Sequence, residues 1–133
     1  MSHPGDQFAM DTVEVGQKWS EGMLFHFDKV FTSSATQLNI FEEVKPFVQA
    51  ALDGDNVCIF AYGQTGSGKT FTMQGPEWMS FEAEEDNDMS GIIPRTGQFI
   101  FKEINWLNKQ GWKFWLQASC FEIYCDELKD LLC

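Results

Sequence analysis

The amino-acid sequence predicts an α/β fold, in which helices flank a mixed sheet, and three observations predict it. Apolar residues recur at spacings of three and four from Ile40 to Leu52, as on the buried face of a helix. The apolar run 57–62 is rich in strand-forming residues. Residues 91–111 then show a second helical pattern, and 112–124 alternate apolar and polar side chains as a strand does. Helices and strands that alternate along the chain are typical of α/β layering.

The elements before the first helix are less regular. Residues 1–23 are polar and irregular by composition, with one strand-like fragment at 12–15. Residues 24–31 predict a short strand that runs into a turn, and 32–36 offer several hydroxyl side chains that can cap a helix. The sequence therefore predicts an irregular segment, 1–23, followed by one folded domain, 24–133.

Glycine and proline mark the ends of the two helices. Gly54 is expected to end the first helix in the left-handed conformation that glycine adopts without a steric cost. Pro46 lies inside that helix and should kink it or remove one backbone hydrogen bond. Pro94 suits the first turn of the second helix, and Gly111 follows its last turn.

Composition and charge exclude several classes of partner. A chain of 133 residues with 44% hydrophobic residues is globular and forms one domain at most. Its net charge is -11, with nine basic and twenty acidic residues, which argues against nucleic acid or an anionic membrane as partner. Six of the acids fall in 77–88, which predicts a solvated surface loop. No signal peptide or membrane helix is recognised, so we expect a cytoplasmic protein.

Residues 63–70 match the P-loop pattern of nucleoside-triphosphate-binding proteins at every fixed position. Their sequence is Gly63-Gln64-Thr65-Gly66-Ser67-Gly68-Lys69-Thr70. A strand is predicted to end just before this run and a helix to begin near its end, which is the structural context of a P-loop. The sequence therefore predicts a phosphate-binding loop, and the alternative is a glycine-rich turn between strand and helix.

Each residue type in the loop has a chemical reason. Glycines allow backbone angles and close approach that a side chain forbids. The amides of 66–70 can then converge on phosphate oxygens at a helix N-terminus. Lys69 would reach the β and γ phosphates, and the Thr70 hydroxyl would bind Mg²⁺. Phe71 could stack on the nucleotide base or pack under the sheet, and the residues alone favour packing.

Phosphoryl transfer also needs a second acid that holds the metal. An apolar strand that ends in Asp is the usual form of this acid, and Asp126 after the run 121–125 is the nearest match. Glu122 interrupts that run, and Asp126 lies past its end. The sequence therefore predicts no catalytic residue.

The match extends beyond a generic P-loop. Residues 59–73 read Ile-Phe-Ala-Tyr-Gly-Gln-Thr-Gly-Ser-Gly-Lys-Thr-Phe-Thr-Met, which resembles the signature of the kinesin motor domain. Other segments that resemble the family, in the family's order, are 27–31, 91–95, 121–124 and 130–132. The resemblance covers residues 24 to 132.

This resemblance implies an ATP-dependent motor of the cytoskeleton, with ATP and Mg²⁺ as ligands and microtubules as the partner of the complete motor. It matches Phe71 to a family residue that contacts adenine, which reverses the preference for packing. The segments 51–54 and 111–113 favour the C-terminal-motor, minus-end-directed subfamily.

The chain also departs from the family pattern. Cys125 stands where the family usually has Asn, and no Arg-x-Arg-Pro motif precedes residue 24. The switch segments and the basic microtubule-binding elements are not among these 133 residues. We therefore expect an incomplete P-loop fold that is part of a kinesin motor domain. The alternatives are a catalytically inactive nucleotide-binding or interaction fragment, and a small P-loop enzyme such as a nucleotide kinase. The latter fits poorly because Arg95 is the only arginine.

Overall fold

The computed structural model describes residues 11–15, 23–76 and 88–132. The acidic run, predicted to be a surface loop, lies outside these residues except for its last member, Asp88. The chain divides into two compact units, Met1–Arg95 and Thr96–Cys133. None of the helices in the described ranges has the length and apolar character to cross a bilayer.

The first unit begins with an antiparallel hairpin. Strand β1 (Asp11–Val15) pairs with strand β2 (Met23–Phe27) so that the first residue of β1 lies opposite the last residue of β2. The strand-like fragment at 12–15 is thus confirmed, and the segment 1–23 is not irregular throughout, because a pairing partner turns a marginal fragment into a strand. The boundary between residues 23 and 24 stays a prediction.

Helix α1 (Gln37–Leu52) is the main helix of the first unit and follows its predicted pattern. Thr36 is the N-cap: its hydroxyl accepts the Asn39 N–H at 3.2 Å, and the Asn39 Oδ1 accepts the Thr36 N–H at 2.9 Å. This reciprocal capping box satisfies two N–H groups that a helix start leaves without acceptors. Gly54 follows the helix with φ +108, the left-handed conformation that was predicted.

Two further helices follow α1, and the boundary between the two units falls inside the second of them. Helix α2 (Lys69–Gln74) begins where the P-loop pattern predicts a helix. Helix α3 (Ile92–Asn108) contains Pro94 in its first turn, as predicted. Gly111 lies past its end with φ +93.

The prediction of a strand at 57–62 is wrong. These residues belong to no ladder, and the described ladders join only β1 to β2 and the two strands of the second unit. Phe60 is 80% exposed and Tyr62 is 91% exposed. Their rings stack at a centroid distance of 6.4 Å, as expected for side chains two residues apart on extended backbone. The composition favours a strand, but a strand also needs a neighbour to satisfy its N–H and C=O groups.

In the second unit, the predicted strand 112–124 is shorter than expected. Residues 112–120 are exposed and unpaired in the described ladders, and only Phe121–Tyr124 forms a strand, β3. It pairs antiparallel with β4 (Glu127–Asp130), which the pattern did not predict. The turn between them consists of Cys125 (φ +49) and Asp126 (φ +64). Two successive residues with positive φ match the right-handed twist of a hairpin, so the chain folds back where the predicted strand ends. The predicted strand is short at its other end, because residues 112–120 have no paired backbone in the described ladders.

Candidate nucleotide-binding site

The loop before α2 is shaped by its glycines. Gly66 and Gly68 have φ values of +79 and +89, in the left-handed region that other residues rarely adopt. The Ser67 N–H donates to the Gln64 carbonyl at 3.2 Å and closes a turn inside the loop. The motif therefore folds as a tight glycine-dependent turn, as its sequence predicts.

Gly63 is required for a different reason, which is space. A Cβ atom at this position would lie 2.5 Å from the Ser67 Oγ and 3.2 Å from the Ser67 Cβ. The two sides of the loop therefore approach each other so closely that a side chain at position 63 would displace the serine.

Helix α2 begins directly at the loop. Gly68 is its N-cap and offers no side-chain hydrogen bond to the first turn. The first backbone bond of the helix is donated by the Thr72 N–H to the Gly68 carbonyl at 2.9 Å. The N–H groups of 69–71 precede this bond, and such groups at a helix start have no intrahelical acceptor. They can therefore donate to an anion at the loop.

Lys69 places its ammonium group on the loop itself. The Nζ atom donates to the Gly63 carbonyl at 2.9 Å and to the Gln64 carbonyl at 2.8 Å. An ammonium has three N–H donors, so these two bonds leave one donor for a further acceptor. The structure thus brings a positive charge onto the same loop whose amides can bind an anion.

Thr70 and Phe71 follow in the first turn of α2. Thr70 is exposed, and the Phe71 side chain is 44% exposed. The Phe71 carbonyl accepts two hydrogen bonds, from the Gly75 N–H at 2.9 Å and from the Gln37 Nε2 at 2.7 Å. Sequence reasoning missed Gln37, since a polar residue at a helix start carries no signal of a partner 34 positions away.

Gly75 and Gly91 lie in a close backbone contact between the end of α2 and the start of α3, which is called the neck below. The Gly91 N–H donates to the Gln74 carbonyl at 3.3 Å. A Cβ at Gly75 would lie 2.8 Å from the Met89 carbonyl oxygen, and a Cβ at Gly91 would lie 2.6 Å from the Met73 carbonyl carbon. The chain therefore leaves α2 and returns to α3 through a backbone contact with no room for side chains.

Asp126, which was considered as a metal-binding acid, lies in the turn between β3 and β4. Within the described ranges, no group of three or more His, Cys, Asp or Glu side chains is placed to hold a metal ion. The structure thus brings the residues of 63–71 together at the start of α2 and adds Gln37 to their surroundings.

Comparisons with known proteins identify the class to which this loop and fold belong. The family model of the kinesin motor domain matches residues 6–133. The chain is 51% identical over 108 residues to the kinesin-like protein KIN-14N of Oryza sativa subsp. japonica, covering 81% of this chain and 13% of that protein. It is 48% identical over 108 residues to carboxy-terminal kinesin 2 of Xenopus laevis, covering 81% of this chain and 16% of that protein.

A solved structure agrees with the sequence comparisons. The motor domain of the Kar3-like kinesin from Ashbya gossypii superposes with a TM-score of 0.78 at 40% identity, covering 93% of this chain and 37% of that chain. The chain therefore belongs to the kinesin motor domain family. The predicted α/β P-loop fold class and the likeness to C-terminal-motor kinesins are confirmed. This chain spans 13 to 17% of the length of the curated relatives that it matches best.

Proposed function

We propose that residues 63–70 bind ATP with Mg²⁺, and that the chain is the nucleotide-binding part of a kinesin motor. The complete motor domain would couple ATP hydrolysis to movement along microtubules, in the cytoplasm and on the cytoskeleton. The observation that carries the proposal is the loop at the start of α2. In a member of this family, it combines two left-handed glycines with a lysine ammonium that lies on the loop.

The residues present fit the group that is proposed to bind. Gly66 and Gly68 carry no side chain and adopt the left-handed conformation, as the backbone of a phosphate cradle requires. The N–H groups at the start of α2 would donate to phosphate oxygens, and Lys69 would donate to the β and γ phosphates. The exposed Thr70 hydroxyl would bind Mg²⁺, which supplies positive charge at the phosphates when bound. Phe71 is exposed enough for its ring to contact the adenine base.

The test is the affinity of the chain for ATP, measured by calorimetry with Mg²⁺ present. Lys69→Ala removes a charge-assisted contact worth about 1.5–3 kcal/mol, which corresponds to roughly a ten- to hundredfold loss of affinity. Lys113→Ala is the matched control, because this exposed lysine lies outside the loop and carries the same charge. Equal affinity of Lys69→Ala and the parent would rule out the P-loop assignment.

An inactive nucleotide-binding or interaction fragment predicts the same binding and differs only in hydrolysis. Release of inorganic phosphate from ATP, measured with microtubules present, separates the two. A rate in the range of about 1–100 s⁻¹ from residues 1–133 would favour an active motor ATPase, and a rate at background would favour the inactive fragment.

A further inference from the structure

Helix α2 carries the two side chains most important to the proposed site, yet it is poorly anchored by its own residues. It has six residues, and none of them is buried. A helix of this length does not hold its shape or position in water without outside contacts. The position of Lys69 and Thr70 must therefore be fixed by groups that lie outside α2.

Gln37 provides such a contact from a larger element. It is the first residue of α1, is only 5% exposed, and donates from its Nε2 to the Phe71 carbonyl at 2.7 Å. Helix α1 has sixteen residues, a capping box, and two buried apolar side chains, Phe41 and Val48. The side chain of Gln37 therefore links a well-anchored helix to the first turn of α2.

The Oε1 atom of Gln37 indicates that this residue does more than stabilise the fold. Its Oε1 is buried and has no hydrogen-bond donor among the described residues. An unsatisfied buried carbonyl destabilises the folded state, and an apolar side chain of similar size would avoid that cost. The benefit of a glutamine here is thus the directional bond to the Phe71 carbonyl.

We propose that Gln37 is a positioning residue of the nucleotide site: its amide holds the Phe71 carbonyl and thereby sets the position of α2 relative to α1. The inference rests on the proposed binding of ATP at 63–70. Gln37 touches no ligand in this role, and it acts through the backbone of α2 on Lys69 and Thr70.

The experiment compares the parent chain with Gln37→Leu and Gln37→Glu. The matched controls are Gln49→Leu and Gln49→Glu, since Gln49 lies on the same helix and donates to the Asp53 carboxylate at 3.0 Å on an exposed face. The affinity for ATP with Mg²⁺ and the thermal unfolding midpoint are measured for each protein from about pH 5 to pH 8. Each variant is compared with the parent at the same pH, which removes the titration of ATP itself.

We expect Gln37→Leu to bind ATP roughly two- to tenfold more weakly at every pH, the effect of one lost hydrogen bond. Its unfolding midpoint should be unchanged or higher, because the unsatisfied Oε1 is removed. The Gln49 variants should bind like the parent.

Gln37→Glu is expected to depend on pH. Burial raises the pKa of the introduced carboxyl group above its ordinary value, because the charged form loses its hydration. Below this raised pKa the protonated carboxyl can donate to the Phe71 carbonyl, and above it the carboxylate has no donor and repels the carbonyl oxygen. Affinity should therefore approach that of the parent as the pH falls, and should be lost as the pH rises through the raised pKa.

Unchanged affinity in both Gln37 variants, with a parent that binds ATP, would overturn the inference and leave the proposed function intact. A loss of affinity that follows a loss of stability, without recovery of Gln37→Glu at low pH, would also overturn it. A parent that does not bind ATP would overturn the proposed function, and the inference with it. If Gln37→Leu does not fold, Gln37→Glu decides the question, because one protein is compared at two pH values.

Discussion

Replacing Gly91 with alanine tests the neck between α2 and α3. The added Cβ would lie 2.6 Å from the Met73 carbonyl carbon and 2.7 Å from the backbone carbonyl carbon and nitrogen of Gln74. These are main-chain atoms, so no side-chain rotation can relieve the overlap, and the backbone at 73–74 and at 91 must move apart. Overpacking of this kind costs about 1–3 kcal/mol, and loss of the bond from the Gly91 N–H to the Gln74 carbonyl adds about 1 kcal/mol. We expect the free energy of unfolding to fall by about 2–4 kcal/mol.

The assay is urea denaturation followed by circular dichroism, with Gly97→Ala as the matched control. Gly97 lies in the interior of α3, and a Cβ there would meet no atom within 4 Å. Because alanine favours a helix interior over glycine, this control should raise stability by up to about 1 kcal/mol. If Gly91→Ala were as stable as the parent, or as Gly97→Ala, the backbone contact at the neck would be refuted.

Two further predictions concern the helix cap and the charge. Thr36→Ala removes the capping box of α1 and should cost about 1 kcal/mol in urea denaturation, whereas Thr32→Ala, outside the cap, should cost less; equal losses would contradict the capping role. Residues 1–133 should stay in the supernatant of a microtubule pelleting assay at every ionic strength. Their twenty acidic residues against nine basic ones oppose docking on acidic tubulin. Co-pelleting that strengthens as salt falls would reveal an attractive basic surface and contradict this prediction.

Features with local causes could be predicted from the sequence. A capping hydroxyl within 32–36, the left-handed Gly54 and the glycine turn of 63–70 each depend on residues within a few positions of one another, although the structure alone selected Thr36 as the cap. Backbone sterics and short-range hydrogen bonds determine these features, so the residue types predict them. The same holds for the start of α2, because a P-loop ends in a helix.

Features that depend on distant partners could not be predicted in this way. The runs 57–62 and 112–120 have strand-like composition, but whether they form strands depends on a neighbouring backbone, which composition does not specify. The bond from Gln37 to Phe71 and the contact of Gly91 with Met73 join residues that are separated in sequence. The sequence by itself determined the P-loop pattern at 63–70 and the family. Only the tertiary structure decided what holds that loop in place, because hydrogen bonds and steric contacts over long sequence separations exist only once the chain has folded.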